Sequence, residues 1–413
     1  MADIDDRWHR TVVDPITGES RQERTTRYGR GTRYAARWRD DNNRQRSRSF
    51  TTRRDAAAWL AKVAVDLAKG EYVDPAAGKV RLRSYATTWL ANQTFEESTR
   101  ESVEIRLRVH ILPTFGGHEM RAIRPSMIQA WTRGLQGSLG ATTIRVVYAN
   151  LSAIFAAAVA DGVLARNPCR SGSARPPAKP VRKVVPWPER QVSAVRAALP
   201  ERYRELVTLG AGAGLRQGEI FALAVEDVDF FRGVIHVRRQ VKIVGSRLVF
   251  SDPKRGKQRD VPLAQSVKLR LAAHLRQHPA SPVTLPWKVP GGKPTTARLI
   301  FVTRERGALN RNYFNAGIWK PALRAASVPD SRENGMHALR HFYASVVLEG
   351  GASIRDLSDW LGHADPGFTL RTYAHLLPNS SSRMREAIDR VLDGAPADGL
   401  AMGGAPDVRQ APR

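Results

Sequence analysis

The sequence predicts a mostly α-helical protein with a small β component, and three observations support this fold class. Helical periodicity continues almost without a break from about residue 80 to residue 168. Apolar and basic residues alternate, as they do in strands, within 34–50 and again between 234 and 250. A linker-like segment rich in Pro, Ser and basic residues, 171–186, separates the helical stretch from a mixed segment. We therefore expect a helical domain and a mixed α/β domain, preceded by a small unit of β-sheet and helix.

Residues 1–75 are predicted to form this small, basic N-terminal unit. Residues 1–20 show no periodicity, and we expect them to be flexible. Tyr34–Arg39 has the alternation of a strand, and 44–50 supplies a returning strand after a turn. Thr52, with a carboxylate three residues later, has the spacing of a capping box at the start of a helix. A basic sheet packed on one helix fits this pattern, and a disordered arginine-rich arm is the alternative.

Residues 80–170 are predicted to form a bundle of four or five helices. Ser98 has the spacing of another capping box, and Pro113 is expected to end the helix that it opens. Pro125 suits the first position of a later helix. The stretch from Thr142 to Val159 is apolar on one side and predicts a long helix.

Residues 187–393 are predicted to form the mixed domain, and 394–413 a disordered tail because they are rich in Ala, Gly and Pro. Two helices at its start are followed by two strand-like segments between 234 and 250. From Gln265 onward we expect only helices. The last of them, 383–392, has an apolar side that could dock on a neighbouring subunit or pack on its own domain.

The charge balance predicts a polyanionic partner. Lys and Arg outnumber Asp and Glu by 66 to 39, which gives a net charge of +27. An excess of this size is typical of proteins that bind DNA or RNA, and a basic surface kept for solubility is the alternative. We find no run of eighteen apolar residues and no signal peptide, so we expect a cytoplasmic protein without a membrane span. The single cysteine, Cys169, excludes an internal disulfide and a Cys-rich zinc site.

Several common motifs of phosphate chemistry are missing. The sequence contains no GxxxxGK[ST] loop, no HExxH motif, no paired cysteines and no acidic cluster of a two-metal nuclease. We therefore expect neither a cofactor nor a metal. A chain that cleaves phosphodiesters without them must use side chains alone. Fixed cations would stabilise the charge on the phosphate oxygens, and a nucleophile, a base and an acid would complete the set.

The C-terminal half contains such a set in a distinctive order. The successive segments are Gly214-Leu-Arg216 with Glu219, Pro253-Lys254, His337-Ala-Leu-Arg340, Leu361-Gly-His363 and Thr372-Tyr373-Ala-His375. The sequence places Arg216 at a helix start and Lys254 in a turn between strands, although Arg255, Lys257 or Arg259 could be mistaken for that lysine. Each residue alone is more typical of a surface charge or a core side chain. Together, five residue types in this order predict a phosphodiester-cleaving site.

The order, motifs and spacing closely resemble the tyrosine recombinase (phage integrase) family. The resemblance is strongest over 187–393 and weaker over 80–170, which is similar to the family's core-site DNA-binding domain. The N-terminal unit, 1–75, resembles the family's arm-site DNA-binding domain only in general pattern. One departure is Ala338, where the family often has Asp. Position 338 is not a reacting group, so the expected activity is unaffected.

The resemblance implies a role for each of the six candidate catalytic residues. Tyr373 would attack the scissile phosphate and form a 3′-phosphotyrosyl bond. Arg216 and Arg340 would hold the non-bridging oxygens, for which the guanidinium fork is well suited. Lys254 would protonate the leaving 5′ oxygen. The last two roles belong to His337, which would assist proton transfer from the tyrosine, and His363, which would hydrogen-bond the phosphate.

Three supporting expectations concern the neighbours of these residues. Glu219 would orient Arg216. His341 and His375 flank the motifs, and the resemblance gives them no role. The cationic cluster should favour the phenolate form of Tyr373.

The resemblance also implies partners and an architecture. We expect a C-shaped clamp around double-stranded DNA at attachment sites, assembled as a homotetramer, with a DNA-bending host factor and a directionality factor as further partners. Integration or excision of a phage or other mobile element is the expected process. The alternatives are a type IB topoisomerase-like enzyme, which would act without a partner site, and a non-catalytic DNA-binding regulator that retains the fold.

Overall fold

The computed structural model describes residues 2–376 except positions 17, 41–42, 70–71, 75–76 and 181–182, together with the isolated positions 385, 388, 389 and 391. The chain divides into two compact units, Met1–Val181 and Arg182–Arg413. This division falls within the segment 171–186 that composition suggests is a linker. Most of the predicted helix 383–392 and all of the predicted tail 394–413 lie outside the described residues.

The N-terminal part of the first unit consists of five strands and one helix. Their bounds are β1 (Asp3–Asp6), β2 (His9–Val13), β3 (Ser20–Arg24), β4 (Tyr34–Arg39), β5 (Gln45–Phe50) and α1 (Arg53–Ala68). The three-stranded antiparallel sheet has the order β1-β4-β5, and β2 and β3 form a separate hairpin. The side chain of Thr52 accepts a hydrogen bond from the backbone N–H of Asp55, as the capping box predicts. The predicted sheet and helix are thus confirmed.

The expectation of a flexible segment at 1–20 is wrong, because β1 and β2 form there. Strand β1 is too short and too acidic to show apolar alternation, and ion pairs hold it against its neighbours. Asp6 pairs with Arg33 at 2.8 Å and Asp5 pairs with Arg37 at 2.5 Å. The pairing partner of β1 is about thirty residues away in the sequence, so no local pattern reveals it.

The remainder of the first unit is helical, as predicted. Its helices are α2 (Leu82–Ala91), α3 (Glu97–Arg106), α4 (Leu112–Phe115), α5 (Pro125–Leu135) and α6 (Ala141–Ala160). Two details of the prediction are wrong. Helix α3 begins at Glu97 rather than after a cap at Ser98, and Pro113 does not end it. A wide π-helical turn at Leu107–Ile111 joins α3 to α4, and Pro113 lies in the first turn of α4, where its missing N–H costs little.

Helix α6 alone among the described helices is long and apolar enough to cross a membrane by length and composition. Arg145, Asn150 and Ser152 interrupt the helix, so it is not the run of eighteen apolar residues that the sequence lacks. Seven of its side chains are buried, and six of them, among them Leu151 and Phe155, belong to the apolar core of this helical domain. This packing in the core explains the apolar composition of α6.

The second unit combines nine helices with seven strands in its described part. The helices are α7 (Glu189–Ala198), α8 (Arg204–Ala213), α9 (Gln217–Phe221), α10 (Gln265–Gln277), α11 (Arg311–Phe314), α12 (Lys320–Ala325), α13 (His337–Glu349), α14 (Ile354–Leu361) and α15 (Pro366–Tyr373). The strands are β6 (Val228–Asp229), β7 (Val234–Val237), β8 (Gln240–Val244), β9 (Arg247–Ser251), β10 (Arg259–Pro262), β11 (Ser281–Pro286) and β12 (Pro294–Leu299).

The strands form one three-stranded sheet, in the order β10-β7-β6, and two hairpins, β8-β9 and β11-β12. The expectation of helices alone after Gln265 is wrong, because the hairpin β11-β12 interrupts them. Prolines at both ends of this hairpin and its few large apolar residues give it a weak strand signal.

Two apolar clusters meet along α13. Leu339 belongs to the main core, which includes α7, α8, α10 and α12. Tyr343 and Leu348, further along the helix, belong to a smaller cluster with Leu357, Leu361 and Tyr373. Helix α13 packs closely on α8, since a Cβ atom added at Gly210 would lie 2.8 Å from the side chain of Leu339. The helix that carries His337 and Arg340 is therefore held on both sides.

Candidate active site

Arg216 is held at the start of α9 by a sharp turn. Helix α8 ends at Gly214 in the left-handed conformation, with φ of +62°. A Cβ atom there would lie 2.5 Å from the ring of Tyr343, so only glycine fits. The backbone N–H of Arg216 donates to Oε2 of Glu219 at 2.9 Å, and its Nη1 donates to Oε1 at 2.8 Å. Both the backbone and the guanidinium of Arg216 are thus fixed by one carboxylate.

Glu219 also binds a second arginine, which the sequence did not assign to the site. Nη1 and Nη2 of Arg259 donate to its two carboxylate oxygens at 3.0 and 2.7 Å, and Nε donates to the carbonyl of Trp360 at 2.6 Å. Burial alone would raise the pKa of Glu219. Hydrogen bonds and charge from Arg259, with the charges of Arg216 and Arg340, lower this pKa to about 2. The carboxylate is therefore ionised at neutral pH and orients two cations.

Arg340 is buried at the centre of the cluster, with 1% of its surface exposed. Nη1 donates to the carbonyl of Gly214 at 2.7 Å, and Nη2 contacts the carbonyl of Leu361 and, at 3.1 Å, Nε2 of His363. Its Nε is buried without a hydrogen-bond partner. Burial and the nearby charge of Arg216 lower the pKa of Arg340 to about 9. A buried cationic donor without a partner favours binding of an anion.

His363 follows the end of α14 and contacts Arg340 through one ring nitrogen. Gly362 takes the left-handed conformation there, with φ of +63°, and its position against Arg259 leaves little room for a Cβ atom. The other ring nitrogen, Nδ1, lies 2.8 Å from Oγ1 of Thr369. Burial, followed by the charges of Arg340 and Arg216, lowers the pKa of His363 to about 3. The imidazole is therefore neutral at neutral pH.

Tyr373 lies at the end of α15, and only 1% of its surface is exposed. Its ring belongs to the smaller apolar cluster, and its hydroxyl lies 2.9 Å from Nδ1 of His341. Burial raises the pKa of Tyr373 to about 12, although the charges of Arg340 and Arg216 act to lower it. The two arginine charges act to lower the pKa of Tyr373, as expected. The pKa is nevertheless raised in this DNA-free state, contrary to the expectation, because the effect of burial is larger than that of the charges.

His337 lies in the first turn of α13 and is exposed. Its ring meets the ring of His341 edge-on, with centroids 4.7 Å apart. Partial burial of the ring, followed by the charges of His341, Arg340 and Arg216, lowers the pKa of His337 to about 4. Among the described contacts, no hydrogen bond joins His337 to Tyr373.

Lys254 is exposed in the turn between β9 and β10, as predicted. It makes no hydrogen bond among the described contacts, and its charge contributes to the lowered pKa of His337. Two of its neighbours are engaged elsewhere: Lys257 Nζ binds Asp359 and the carbonyl of His363, both at 3.2 Å, and Arg259 binds Glu219. Lys254 and the adjacent Arg255 are thus the exposed cations of this turn.

The structure therefore brings five of the six predicted residues, Arg216, His337, Arg340, His363 and Tyr373, into one cluster and leaves Lys254 on a turn at its edge. A cavity of about 240 Å³ adjoins the cluster, and Arg216, His337, Lys242 and Arg311 are among its lining residues. The arrangement offers fixed cations, neutral imidazoles and a phenol, which is a suitable set for phosphoryl transfer.

Sequence reasoning missed two contacts of the cluster. The motifs give His341 no role, although its Nδ1 lies within hydrogen-bond distance of the hydroxyl of Tyr373. Arg259 appeared as a competitor of Lys254, although its place on β10 buries it against Glu219. Side chains two residues apart in a strand face the same side, so the position of Arg259 two residues before the apolar Val261 could have indicated that Arg259 points inward.

Comparisons with known proteins agree with this arrangement. A family model described as "Phage integrase family" matches residues 189–380, and one described as "Phage integrase, N-terminal SAM-like domain" matches 81–136. Together the two models match more than half of the chain. A relative in Mycobacterium tuberculosis, a putative prophage phiRv2 integrase, is 28% identical over 79% of this chain and 84% of its own length.

Two solved structures share the fold. The Tn1549 transposon integrase in complex with transposon right end DNA has a TM-score of 0.60 at 17% identity, and the match covers 75% of this chain and 98% of the chain in that structure. A lambda integrase tetramer bound to a Holliday junction has a TM-score of 0.55 at 17% identity, covering 84% and 93% of the two chains. With the site geometry and the family models, these likenesses lead to one conclusion: the chain belongs to the phage integrase family of tyrosine recombinases.

Proposed function

We propose that this site-specific recombinase cleaves and rejoins double-stranded DNA through a 3′-phosphotyrosyl intermediate at Tyr373, for integration or excision of a phage or other mobile element. The observation that carries the proposal is the arrangement around Arg340. Its buried guanidinium contacts His363, retains an Nε without a partner, and acts together with Arg216 on the pKa of Tyr373. A phosphodiester bound there would meet two fixed arginines next to a phenol.

The fixed cations would supply most of the transition-state stabilisation. Attack on the phosphorus places negative charge on the non-bridging oxygens, and donors held in advance stabilise that charge without reorganisation. Arg340 is held by two backbone carbonyls, and Arg216 is held by Glu219. His363, neutral and bound to Arg340, would contribute a further polar contact to the phosphate.

The exposed turn between β9 and β10 would supply the general acid. Lys254 is free to reach the leaving 5′ oxygen when DNA is bound, and protonation there drives departure of that oxygen. The energy of the broken phosphodiester stays in the tyrosyl bond, so rejoining by a 5′ hydroxyl requires neither ATP nor metal. Because Tyr373 is enclosed in the DNA-free chain, DNA binding would have to open the segment around it.

The remaining domains would bind the DNA. The net charge of +27 suits a polyanion, and the N-terminal unit exposes Arg48 on β5 and Arg44 just before that strand. We propose that residues 80–170 bind core-site DNA, that residues 1–75 bind an arm site, and that the active assembly is a homotetramer in the cytoplasm. The lambda integrase tetramer on a Holliday junction supports this assembly by likeness of fold. A DNA-bending host factor and a directionality factor would be additional partners.

The decisive experiment is capture of the covalent intermediate in EDTA. Nicked duplexes made from DNA that flanks the source gene would be incubated with wild type, Tyr373→Phe and the matched control Tyr343→Phe, which loses a hydroxyl in the same apolar cluster. We expect an SDS-resistant adduct on the 3′ side of the break with wild type and Tyr343→Phe, and none with Tyr373→Phe. An adduct on the 5′ side, or an equal adduct with Tyr373→Phe, would contradict the mechanism.

Two alternatives predict other results in the same assay. A topoisomerase-like enzyme would relax a supercoiled plasmid without any recombination site. A non-catalytic regulator would bind the duplex tightly and leave no adduct with any variant.

A further inference from the structure

The turn that carries Lys254 is held at one end by a second lysine, to which the resemblance gives no role. Nζ of Lys257 donates to Oδ1 of Asp359 and to the backbone carbonyl of His363, both at 3.2 Å. We propose that Lys257 is a positioning residue, which ties the turn of the general acid Lys254 to the phosphate-binding His363. This inference rests on the proposed function, since it requires Lys254 to protonate the leaving 5′ oxygen.

The other end of the turn is held as well. Nε2 of Gln240 donates to the backbone carbonyl of Asp252 at 2.7 Å, and Nζ of Lys288 pairs with the carboxylate of Asp252 at 2.8 Å. Pro253, which follows, is buried. Lys254 comes next and is exposed, so the reach of its side chain depends on where the two ends of the turn are fixed.

The tip of the turn has a tight backbone. The N–H of Gly256 donates to the carbonyl of Pro253 at 2.8 Å, and Arg255 takes the left-handed conformation with φ of +65°. A residue other than glycine keeps this conformation only when the surrounding structure restrains it. The anchors at Asp252 and Lys257 supply that restraint on the two sides of the tip.

The contacts of Lys257 do not involve the segment that must open for reaction. That segment surrounds Tyr373, whereas Asp359 lies on α14 and His363 just after it. His363 must stay at the site in order to contact the phosphate, and its Nε2 lies 3.1 Å from Nη2 of Arg340. The tie through Lys257 is therefore retained in the reacting state whenever His363 is in place.

The expected consequence of this tie is geometric rather than stabilising. The side chains of Lys257 and Asp359 are 38% and 60% exposed, and a pair of this kind contributes little to folding stability. A general acid, however, must lie within hydrogen-bond reach of the oxygen that it protonates, and a small misplacement slows the reaction. The tip lies near the site, since the charge of Lys254 acts on the pKa of His337.

Lys257 itself exchanges no proton in this scheme. The bond from phosphorus to the 5′ oxygen breaks as the phenolic oxygen of Tyr373 bonds to phosphorus, and Nζ of Lys254 gives its proton to the departing oxygen. The proton of the tyrosine passes to His337, as the resemblance implies. Lys257 keeps Nζ of Lys254 within reach of the departing oxygen.

The test compares single-turnover adduct formation on two nicked duplexes. One has the ordinary bridging 5′ oxygen at the scissile position, and the other has sulfur there. A thiolate leaves without a proton, because a thiol is a much stronger acid than an alcohol. The variants are Lys257→Met, Asp359→Asn, which weakens the tie but retains the lysine, and Lys254→Met. The matched control is Lys320→Met, whose Nζ makes a similar exposed pair with Asp330 at 3.2 Å.

We expect Lys257→Met to slow adduct formation on the oxygen duplex by about 10-fold and Asp359→Asn by about 3-fold. Lys254→Met should be slower by about 100-fold or more on that duplex. All three should approach the wild-type rate on the sulfur duplex, and Lys320→Met should match wild type on both. Thermal melting and DNA-binding curves should be the same for all of these proteins.

A wild-type rate for Lys257→Met on the oxygen duplex would overturn the proposal. So would an equal loss on both duplexes, or a slow Lys257→Met beside an unaffected Asp359→Asn, because these patterns indicate that Lys257 contacts the DNA directly. Failure of the proposed function is visible separately, as a Lys254→Met that gains nothing from sulfur or as an adduct that persists in Tyr373→Phe.

Discussion

The arginines of the catalytic cluster and those of the N-terminal unit are placed in opposite ways. Arg340 and Arg259 are buried, and carbonyls, carboxylates or an imidazole fix their guanidinium groups. Arg48 and Arg24 are exposed, and their guanidinium carbons lie 4.1 Å from the ring centroids of Trp59 and Tyr28. Buried, fixed charges stabilise one transition state strongly, whereas exposed charges attract a polyanion weakly and respond to salt.

Removing the carboxylate that holds the buried arginines should have the largest effect, and that effect is on stability. Glu219→Gln would leave Arg216 and Arg259 without their shared carboxylate in a buried site. We expect the free energy of unfolding, measured by urea denaturation, to fall by about 3–5 kcal/mol, as for loss of one partner of a buried ion pair. Glu23→Gln, whose carboxylate pairs with Arg10 and Arg21 on the exposed hairpin, is the control and should change little. Equal effects would remove the distinction between the two regions.

The next effect is on catalysis. Arg340→Lys keeps a positive charge but cannot reproduce the contacts to Gly214, Leu361 and His363 together with a free Nε. Adduct formation should slow by about 100-fold or more, with DNA binding nearly unchanged. Arg48→Lys on β5 should leave the cleavage rate of bound DNA as in wild type. A mild effect of Arg340→Lys would show that charge alone, rather than fixed geometry, is required.

Acid should destabilise the second unit through its partly buried histidines, His341 and His363. The pKa of His341 is lowered to about 4 and that of His363 to about 3, so the unfolded chain takes up protons below its ordinary pKa of 6.5 before the folded chain does. Stability is therefore expected to fall as pH decreases from about 6.5 to about 4, and Glu219 adds to the loss below about 4.5. Urea denaturation at several pH values measures this dependence. It should weaken in His363→Gln, and an unchanged dependence would contradict the assigned protonation states.

The smallest effect is expected from the exposed arginines. Replacing Arg44 and Arg48 together with Ala should weaken DNA binding a few-fold at low salt. The slope of log affinity against log salt should become shallower by about 0.9 for each phosphate that the variant no longer neutralises. Binding titrations at several salt concentrations measure both quantities. An unchanged slope would show that Arg44 and Arg48 do not bind the phosphates of the duplex used.

The sequence predicted the elements whose signals are local. The capping box at Thr52, the helical segment 80–170 and the place of Arg216 at a helix start follow from neighbouring residues. Strand β1 and the hairpin β11-β12 depend on partners or packing that local patterns do not contain. In the site, motif order predicted the cluster. The partnership of His341 with Tyr373 and that of Arg259 with Glu219 arise only when distant segments meet.

The central claim is that Tyr373 forms the covalent bond to DNA, and mass spectrometry of the trapped adduct tests it most directly. After nuclease and protease digestion, the peptide that contains Tyr373 should carry a nucleotide attached through its 3′ phosphate. The peptide that contains Tyr343 should be unmodified. A nucleotide on any other residue, or one attached through its 5′ phosphate, would contradict the account.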